Sequence, residues 1–66
     1  MYRYKGYVSH VAYSPEDAIW YGKLDGIPDL VSYEAYSLEH AEAAFRSAVD
    51  DYLAFCADLG TPPASS

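Results

Sequence analysis

The chain has 66 residues, enough for one small domain whose buried apolar surface only narrowly offsets the entropy lost on folding. Ten acidic side chains outnumber four basic ones, giving a formal net charge of −6 that disfavours binding to nucleic acid or anionic lipid and favours a basic partner. Its one cysteine, Cys56, rules out an internal disulfide, and no apolar run approaches the roughly 20 residues of a membrane span. With no signal-peptide pattern, the sequence predicts a cytoplasmic protein stabilised by association.

The first predicted element is a strand over residues 2–13, rich in tyrosine and valine, with Gly6 as a bulge or a point of close backbone approach. Ser14 and Pro15 then match the first two positions of a type I turn, which predicts a hairpin with a second strand over residues 18–24. Residues 25–29 interrupt that strand with glycine and proline. The alternation of residues 30–36 predicts a third strand.

The strongest predicted element is a helix over residues 37–59. Ser37 is a good N-cap, Glu39 favours the positive helix start, and Gly60 before two prolines ends the helix. Successive positions about 100° apart gather the apolar side chains into one arc. The arc contains Leu38, Ala41, Phe45, Ala48, Val49, Tyr52, Phe55, Cys56 and Leu59.

The order β-β-β-α predicts an α+β fold, in which a three-stranded antiparallel sheet carries one C-terminal helix on one face. We expect the domain to span residues 1–60, because residues 61–66 have the composition of a flexible tail or linker remnant. Eight tyrosines and one tryptophan exceed the needs of so small a core, and both predicted sheet faces carry aromatic side chains. A partner or a second copy is expected to cover the open face, and a homodimer is predicted.

No pattern in the sequence indicates catalysis, a cofactor or a metal site. His10 and His40 lack triad or metal-ligand spacing, and the four glycines are too scattered for a phosphate-binding loop. Asp50 and Asp51 point about 100° apart on a helix, so they cannot share one reacting atom. Cys56 lies on the apolar arc without the base or positive surroundings that a nucleophile needs. The sequence therefore predicts a protein that is not an enzyme.

Several short sequence segments follow one another in an order that is found in a known protein family. YKGYV at residues 4–8 is followed by the Pro-Glu-Asp turn, a Gly-Ile loop, the third strand, and AFRSAVDDYL at residues 44–53. Over about residues 2–60 this order resembles the N-terminal domain of the HicB family, the antitoxins of HicAB toxin–antitoxin systems. His40 departs from the family, which usually has an acid there to complete a capping box, so we expect a slightly weaker helix cap.

The resemblance implies a non-catalytic domain with a partly degraded ribonuclease-H-like sheet that binds and blocks a HicA-type toxin. That toxin family has a double-stranded-RNA-binding-like fold and cleaves messenger RNA with a histidine. A ribonuclease must present a basic RNA-binding surface, which suits the acidic balance of this chain. HicB proteins normally continue into a DNA-binding domain, whereas this sequence ends at the linker-like residues 61–66, so operator binding does not follow from the resemblance.

The leading hypothesis is therefore an antitoxin domain that occludes a basic HicA-type mRNA interferase. The alternative is a freestanding phage- or plasmid-type inhibitor of another defence nuclease, or a small-ligand-binding module on the same fold. Neither hypothesis involves direct nucleic-acid or membrane binding. The partner-contact candidates are Trp20, Tyr21, Asp50 and Asp51.

Overall fold

The computed structural model describes residues 1–27 and 31–63. Within these ranges the chain forms five strands and one helix: β1 (Tyr2–Tyr4), β2 (Tyr7–Ser9), β3 (Ala12–Ser14), β4 (Ile19–Lys23), β5 (Ser32–Ala35) and α1 (Leu38–Leu59). β1 pairs with β2, and β4 lies between β3 and β5 in a three-stranded sheet, all antiparallel. The predicted α+β fold, a three-stranded antiparallel sheet with one C-terminal helix, is confirmed. The predicted start of the third strand, at Leu30, lies outside the described residues.

The single first strand predicted over residues 2–13 is wrong, because it contains a hairpin. Tyr4 pairs with Tyr7, so only Lys5 and Gly6 form the loop. Both have positive φ, 52° and 84°, as in a type I′ turn, whose twist matches that of the paired strands. Gly6 is neither a bulge nor a close approach, since no atom lies within 4 Å of the Cβ position that it lacks.

The two ladders meet where β2 passes beside the end of β4. Ser9 and Leu24 form an isolated antiparallel bridge, and the Asp25 amide donates to the Val8 carbonyl at 2.9 Å. β2 and β3 thus follow one another along the same side of β4 in one register, because Ala12 lies three positions after Ser9 and their partners Tyr21 and Leu24 are also three positions apart. Through this shared register the β1–β2 hairpin extends the sheet beyond the end of β3.

The predicted hairpin between the second and third segments forms, with a loop over residues 15–18. Ser14 pairs with Ile19, so β4 begins one residue later than predicted. Ala18 has a φ of 55°, a left-handed conformation that cannot continue a strand. Ala18 therefore belongs to the loop and not to the strand, where the sequence had predicted it.

The helix ends at the predicted residue, Leu59, and begins at Leu38, one residue after the predicted start, because Ser37 is its N-cap. The Ser37 hydroxyl oxygen accepts the backbone N–H of His40 at 3.1 Å, which caps the first turn. His40 Nδ1 also lies 3.0 Å from this hydroxyl, so the imidazole joins the cap at the position where a capping box has Glu or Gln. At the other end Gly60 is left-handed, its N–H donates to Ala57, and Thr61 donates to Cys56 at 3.0 Å, which is a Schellman motif.

The core lies between α1 and one face of the strands. The Phe45 ring contacts the rings of Tyr2 and Tyr33, with centroids 5.7 and 5.8 Å apart, and Tyr7 meets Tyr52 edge-on at 5.9 Å. The buried apolar residues are Tyr7, Leu24, Tyr33, Ala41, Phe45, Val49, Tyr52 and Cys56. Most of the aromatic excess noted in the sequence is therefore used in packing the helix onto the sheet.

The open face of the sheet carries fewer aromatic rings than the helix side. Strand alternation places Tyr21 on this face, and Tyr36, just after β5, is 86% exposed. Lys23 and Glu34 share the face with them, because Tyr21 pairs with Glu34 and Lys23 follows Tyr21 by two residues. Both faces do carry aromatic side chains, as predicted, but unequally.

Candidate functional site

A groove runs between β5 and α1 along one side of the molecule. β5 is the outer strand of the three-stranded sheet in the described part of the chain, and α1 folds back over it. The edge groove, as we call it, has an apolar floor and a polar rim. Its apolar lining consists of Val31, Tyr33, Ala44, Ala48, Tyr52 and Phe55, and its polar lining of Ser32, Glu34, Ser47 and Asp51.

The edge groove is acidic and partly apolar. Phe55 is 56% exposed although it belongs to the predicted apolar arc of the helix. The carboxylates of Glu34 and Asp51 form no ion pair with any described residue, and no lysine or arginine lines the groove. The groove therefore offers negative charge next to apolar surface, with no compensating base in its lining.

Asp50 and Asp51, both predicted contact residues, lie on different sides of α1. The Asp50 carboxylate accepts a hydrogen bond from Lys5 Nζ at 2.9 Å, and the Tyr4 hydroxyl lies 3.4 Å away. The hydrogen bond from Lys5 lowers the pKa of Asp50, and the same bond raises the pKa of Lys5. Asp50 is thus used to hold the β1–β2 turn against the helix, whereas Asp51 lines the edge groove.

Trp20 and Tyr21, the other two predicted contact residues, point to opposite faces of β4. Trp20 is half-buried, and its ring centroid lies 4.8 Å from that of Tyr13. Tyr21 is 46% exposed and lies directly opposite Glu34. Tyr21 and Glu34 line a second, shallow depression on the open face of the sheet.

Glu34 lines both depressions, so Tyr21 and Asp51 belong to one continuous surface around the outer edge of β5. Trp20 and Asp50 line neither of them. The sequence alone did not single out Glu34 or Phe55 as site residues. The alternation of the third strand does place Glu34 away from the helix, but only the sheet order shows that β5 is an edge strand.

The two histidines and the cysteine, which were considered as catalytic candidates from the sequence, form hydrogen bonds or lie in the core. His10 Nδ1 lies 3.1 Å from an Asp25 carboxylate oxygen at the surface, and His40 takes part in the helix cap. Cys56 is a buried free thiol. Within residues 1–27 and 31–63 there is no group of three or more His, Cys, Asp or Glu side chains that could hold a metal ion. In the same ranges, no helix is both long and apolar enough to cross a membrane.

Comparisons with protein-family models, with curated proteins and with solved structures find no match to this chain. The HicB resemblance therefore remains a prediction from the sequence pattern. The surface around β5 is the feature of the molecule on which a functional proposal rests.

Proposed function

We propose that this chain is a HicB-like antitoxin domain that binds a basic, HicA-type mRNA-cleaving toxin and covers its RNA-binding surface without any catalytic step. The observation that carries the proposal is the pair of uncompensated carboxylates, Glu34 and Asp51, beside the exposed rings of Tyr21 and Phe55. The family pattern at residues 4–8 and 44–53 supports it independently. Such a domain acts in the cytoplasm, where the messenger RNA is.

Occlusion needs both charge and shape in this mechanism. A surface that binds RNA is lined with lysine and arginine, and carboxylates placed against it replace the phosphates that it would otherwise contact. Aromatic side chains next to the carboxylates supply apolar contact area at low entropic cost, since each ring has few rotatable bonds. Charge then accelerates association, and apolar burial slows dissociation.

A cleavage assay tests the proposal. The purified chain is mixed with a HicA-type toxin encoded beside it, and RNA cleavage is followed at increasing chain-to-toxin ratios. We expect cleavage to be abolished near equimolar chain and restored by high salt, because salt screens exposed charges. Undiminished cleavage at excess chain contradicts the proposal.

A charge-matched pair of variants sharpens the assay. Glu34→Gln with Asp51→Asn removes both carboxylates of the edge groove, and Glu16→Gln with Asp58→Asn removes two exposed carboxylates outside its lining. Both pairs change the net charge equally. We expect the first pair to weaken inhibition and the second to leave it near the wild-type level.

The predicted homodimer is a separate proposal, in which a second copy and not the toxin covers Tyr21 and Glu34 on the open face of the sheet. Lys23 and Glu34 give this face charges of both signs, and Tyr21 and Tyr36 add exposed aromatic area. A surface with both signs can pair with its own copy across a twofold axis. Sedimentation equilibrium should show a mass that rises to twice the chain mass with concentration, and a constant monomer mass contradicts this proposal.

A further inference from the structure

The outer edge of β5 offers unpaired backbone groups. The Leu24 amide donates to the Val31 carbonyl at 3.0 Å, so Val31 directs its backbone towards β4. In an antiparallel ladder the N–H and C=O of alternate residues point to opposite sides. Ser32 and Glu34 therefore direct theirs to the outer edge, where no strand of the described residues pairs with them.

The edge groove lies directly beside these backbone groups. A strand placed along β5 would rest one row of its side chains on the apolar floor formed by Val31, Ala48 and Phe55. The same strand would pass between the carboxylates of Glu34 and Asp51. Main-chain hydrogen bonds would hold it, and the groove would select apolar side chains alternating with basic ones.

The other open edges do not offer this combination. β1 carries Arg3 and is followed by Lys5, so its edge is the more basic one. β3 has three residues and is followed at once by Pro15, which cannot donate to a ladder. Charge also disfavours a second copy along β5, because the charged side chains that line the groove would be carboxylates on both copies.

We infer that the outer edge of β5 and the edge groove bind an extended segment of the partner protein, rich in basic and apolar side chains, as an added strand of the sheet. The inference rests on the proposed function for the partner's basic character. It goes further by assigning the binding mode and the surface.

The test uses peptide probes on the isotope-labelled full chain. The first probe has about six residues, the usual length of a strand, with lysine and valine alternating. The second is the same peptide N-methylated at every residue, which keeps its charge but removes every backbone donor. The third replaces each lysine by glutamate. Amide NMR shifts locate the binding site, and titration gives the affinity.

We expect the lysine–valine peptide to shift the amide signals of Ser32 and Glu34, together with Asp51 and Phe55 across the groove. The N-methylated probe should bind about tenfold more weakly or worse, since it cannot form the ladder. The glutamate probe should not bind measurably. The double variant Glu34→Gln, Asp51→Asn should lower the affinity for the lysine–valine peptide more than the double variant Glu16→Gln, Asp58→Asn does.

Four results with the peptide probes overturn the inference. The first is that the lysine–valine probe shifts only the amide signals of the open face around Tyr21 and Tyr36. The second and third are that the N-methylated probe or the glutamate probe binds as tightly as the lysine–valine probe. The fourth is that the lysine–valine probe does not bind at about 1 mM, a concentration that detects even weak complexes. Protection of the Ser32 and Glu34 amides by self-association, without any peptide, also overturns it, because a second copy is then the occupant.

The outcome is separable from that of the proposed function. If the chain inhibits the toxin while toxin-induced shifts avoid β5, the antitoxin proposal stands and the added-strand inference fails. If the peptide binds the edge groove but no toxin is inhibited, the inference stands and the antitoxin proposal fails.

Discussion

A buried pair of hydroxyl groups fixes how β5 meets β4. The Ser9 hydroxyl donates to the Lys23 carbonyl at 2.7 Å and lies 2.7 Å from the Tyr33 hydroxyl. The Tyr33 ring lies over Gly22, where an added Cβ would come within 2.5 Å of the hydroxyl oxygen and 2.7 Å of the adjoining ring carbon. Gly22 is therefore required by the close approach of this ring.

Replacing Gly22 by alanine should destabilise the fold by about 1–3 kcal/mol, because the Tyr33 ring must move from a packed site. Urea unfolding of the variant measures the cost. The Tyr33→Phe background provides the control: it removes the nearest atom, so Gly22→Ala should cost less there. Equal costs in the two backgrounds would mean that the hydroxyl is not the source of the strain.

The two adjacent aspartates of α1 have different surroundings. Both were predicted as contacts, yet Asp50 hydrogen-bonds to Lys5 and only Asp51 lines the edge groove. A helix turns by about 100° per residue, so neighbours in sequence serve different surfaces. The sequence could predict that separation but not which of the two meets a lysine, since the β1–β2 turn that carries Lys5 was not recognised.

The Lys5 hydrogen bond makes stability depend on acid pH through Asp50. Its pKa is lower in the folded state, so the ionised carboxylate stabilises the fold above the unfolded-state pKa and this contribution is lost as the pH falls through the folded-state pKa. Asp50→Asn should reduce the fall in unfolding midpoint between neutral pH and pH values below 3.8, the ordinary value for aspartate. Asp51→Asn, which leaves the Lys5–Asp50 hydrogen bond in place, is the control. Its unfolding midpoint should fall more steeply with decreasing pH than that of Asp50→Asn.

At the scale of elements, the helix was predicted well and the first strand was not. The signals for α1 are local and agree with one another: an apolar arc, the Ser37 cap and the Gly60 stop. The first hairpin needs only two loop residues, so it leaves no polar gap in the run of tyrosines. Lys5 and Gly6 form the turn, and both have positive φ. A lysine in the sequence does not indicate that its φ will be positive.

The type I′ turn predicts a backbone cost at Gly6. Gly6→Ala should destabilise the chain by about 1–2 kcal/mol, because a Cβ is strained at φ 84°. No atom lies within 4 Å of the new Cβ, so packing does not contribute. Thermal unfolding measures the cost, and an unchanged midpoint would contradict the turn assignment.

The loop between β3 and β4 predicts the opposite effect. Ala18 has a φ of 55°, which glycine adopts without strain. Ala18→Gly should therefore stabilise the protein by about 0.5–1 kcal/mol, the strain relief exceeding the extra freedom of glycine in the unfolded chain. The substitution Ala43→Gly, at an exposed position inside α1, is the matched control and should destabilise by about 1 kcal/mol.

The whole molecule is elongated, 39 Å by 18 Å by 18 Å, because its helix is longer than its strands. A helix of 22 residues spans about 33 Å, whereas the longest strand has five residues. The sheet therefore cannot cover the whole predicted apolar arc, and Leu38, Phe55 and Leu59 remain exposed. Sequence periodicity identifies an apolar face, but the extent of its cover depends on the sheet.

The same limit applies to the candidate site. Tyr21 and Asp51, which were predicted from residue type, line the surface around β5. Glu34 and Phe55 were missed, because their importance comes from the edge position of β5 and from the flank of α1 beside it. Both are tertiary properties that a strand and helix pattern does not contain.

Exposed apolar residues on one helix allow binding and folding to be tested separately. Phe55 is 56% exposed and lines the edge groove, whereas Leu59 is 62% exposed and does not. Either alanine variant should change the unfolding free energy by less than about 0.5 kcal/mol, as is usual for exposed sites. Only Phe55→Ala should weaken inhibition of a HicA-type toxin, since only this ring would be buried against a strand added at β5. Equal inhibition by both variants would place the toxin contact elsewhere on the molecule.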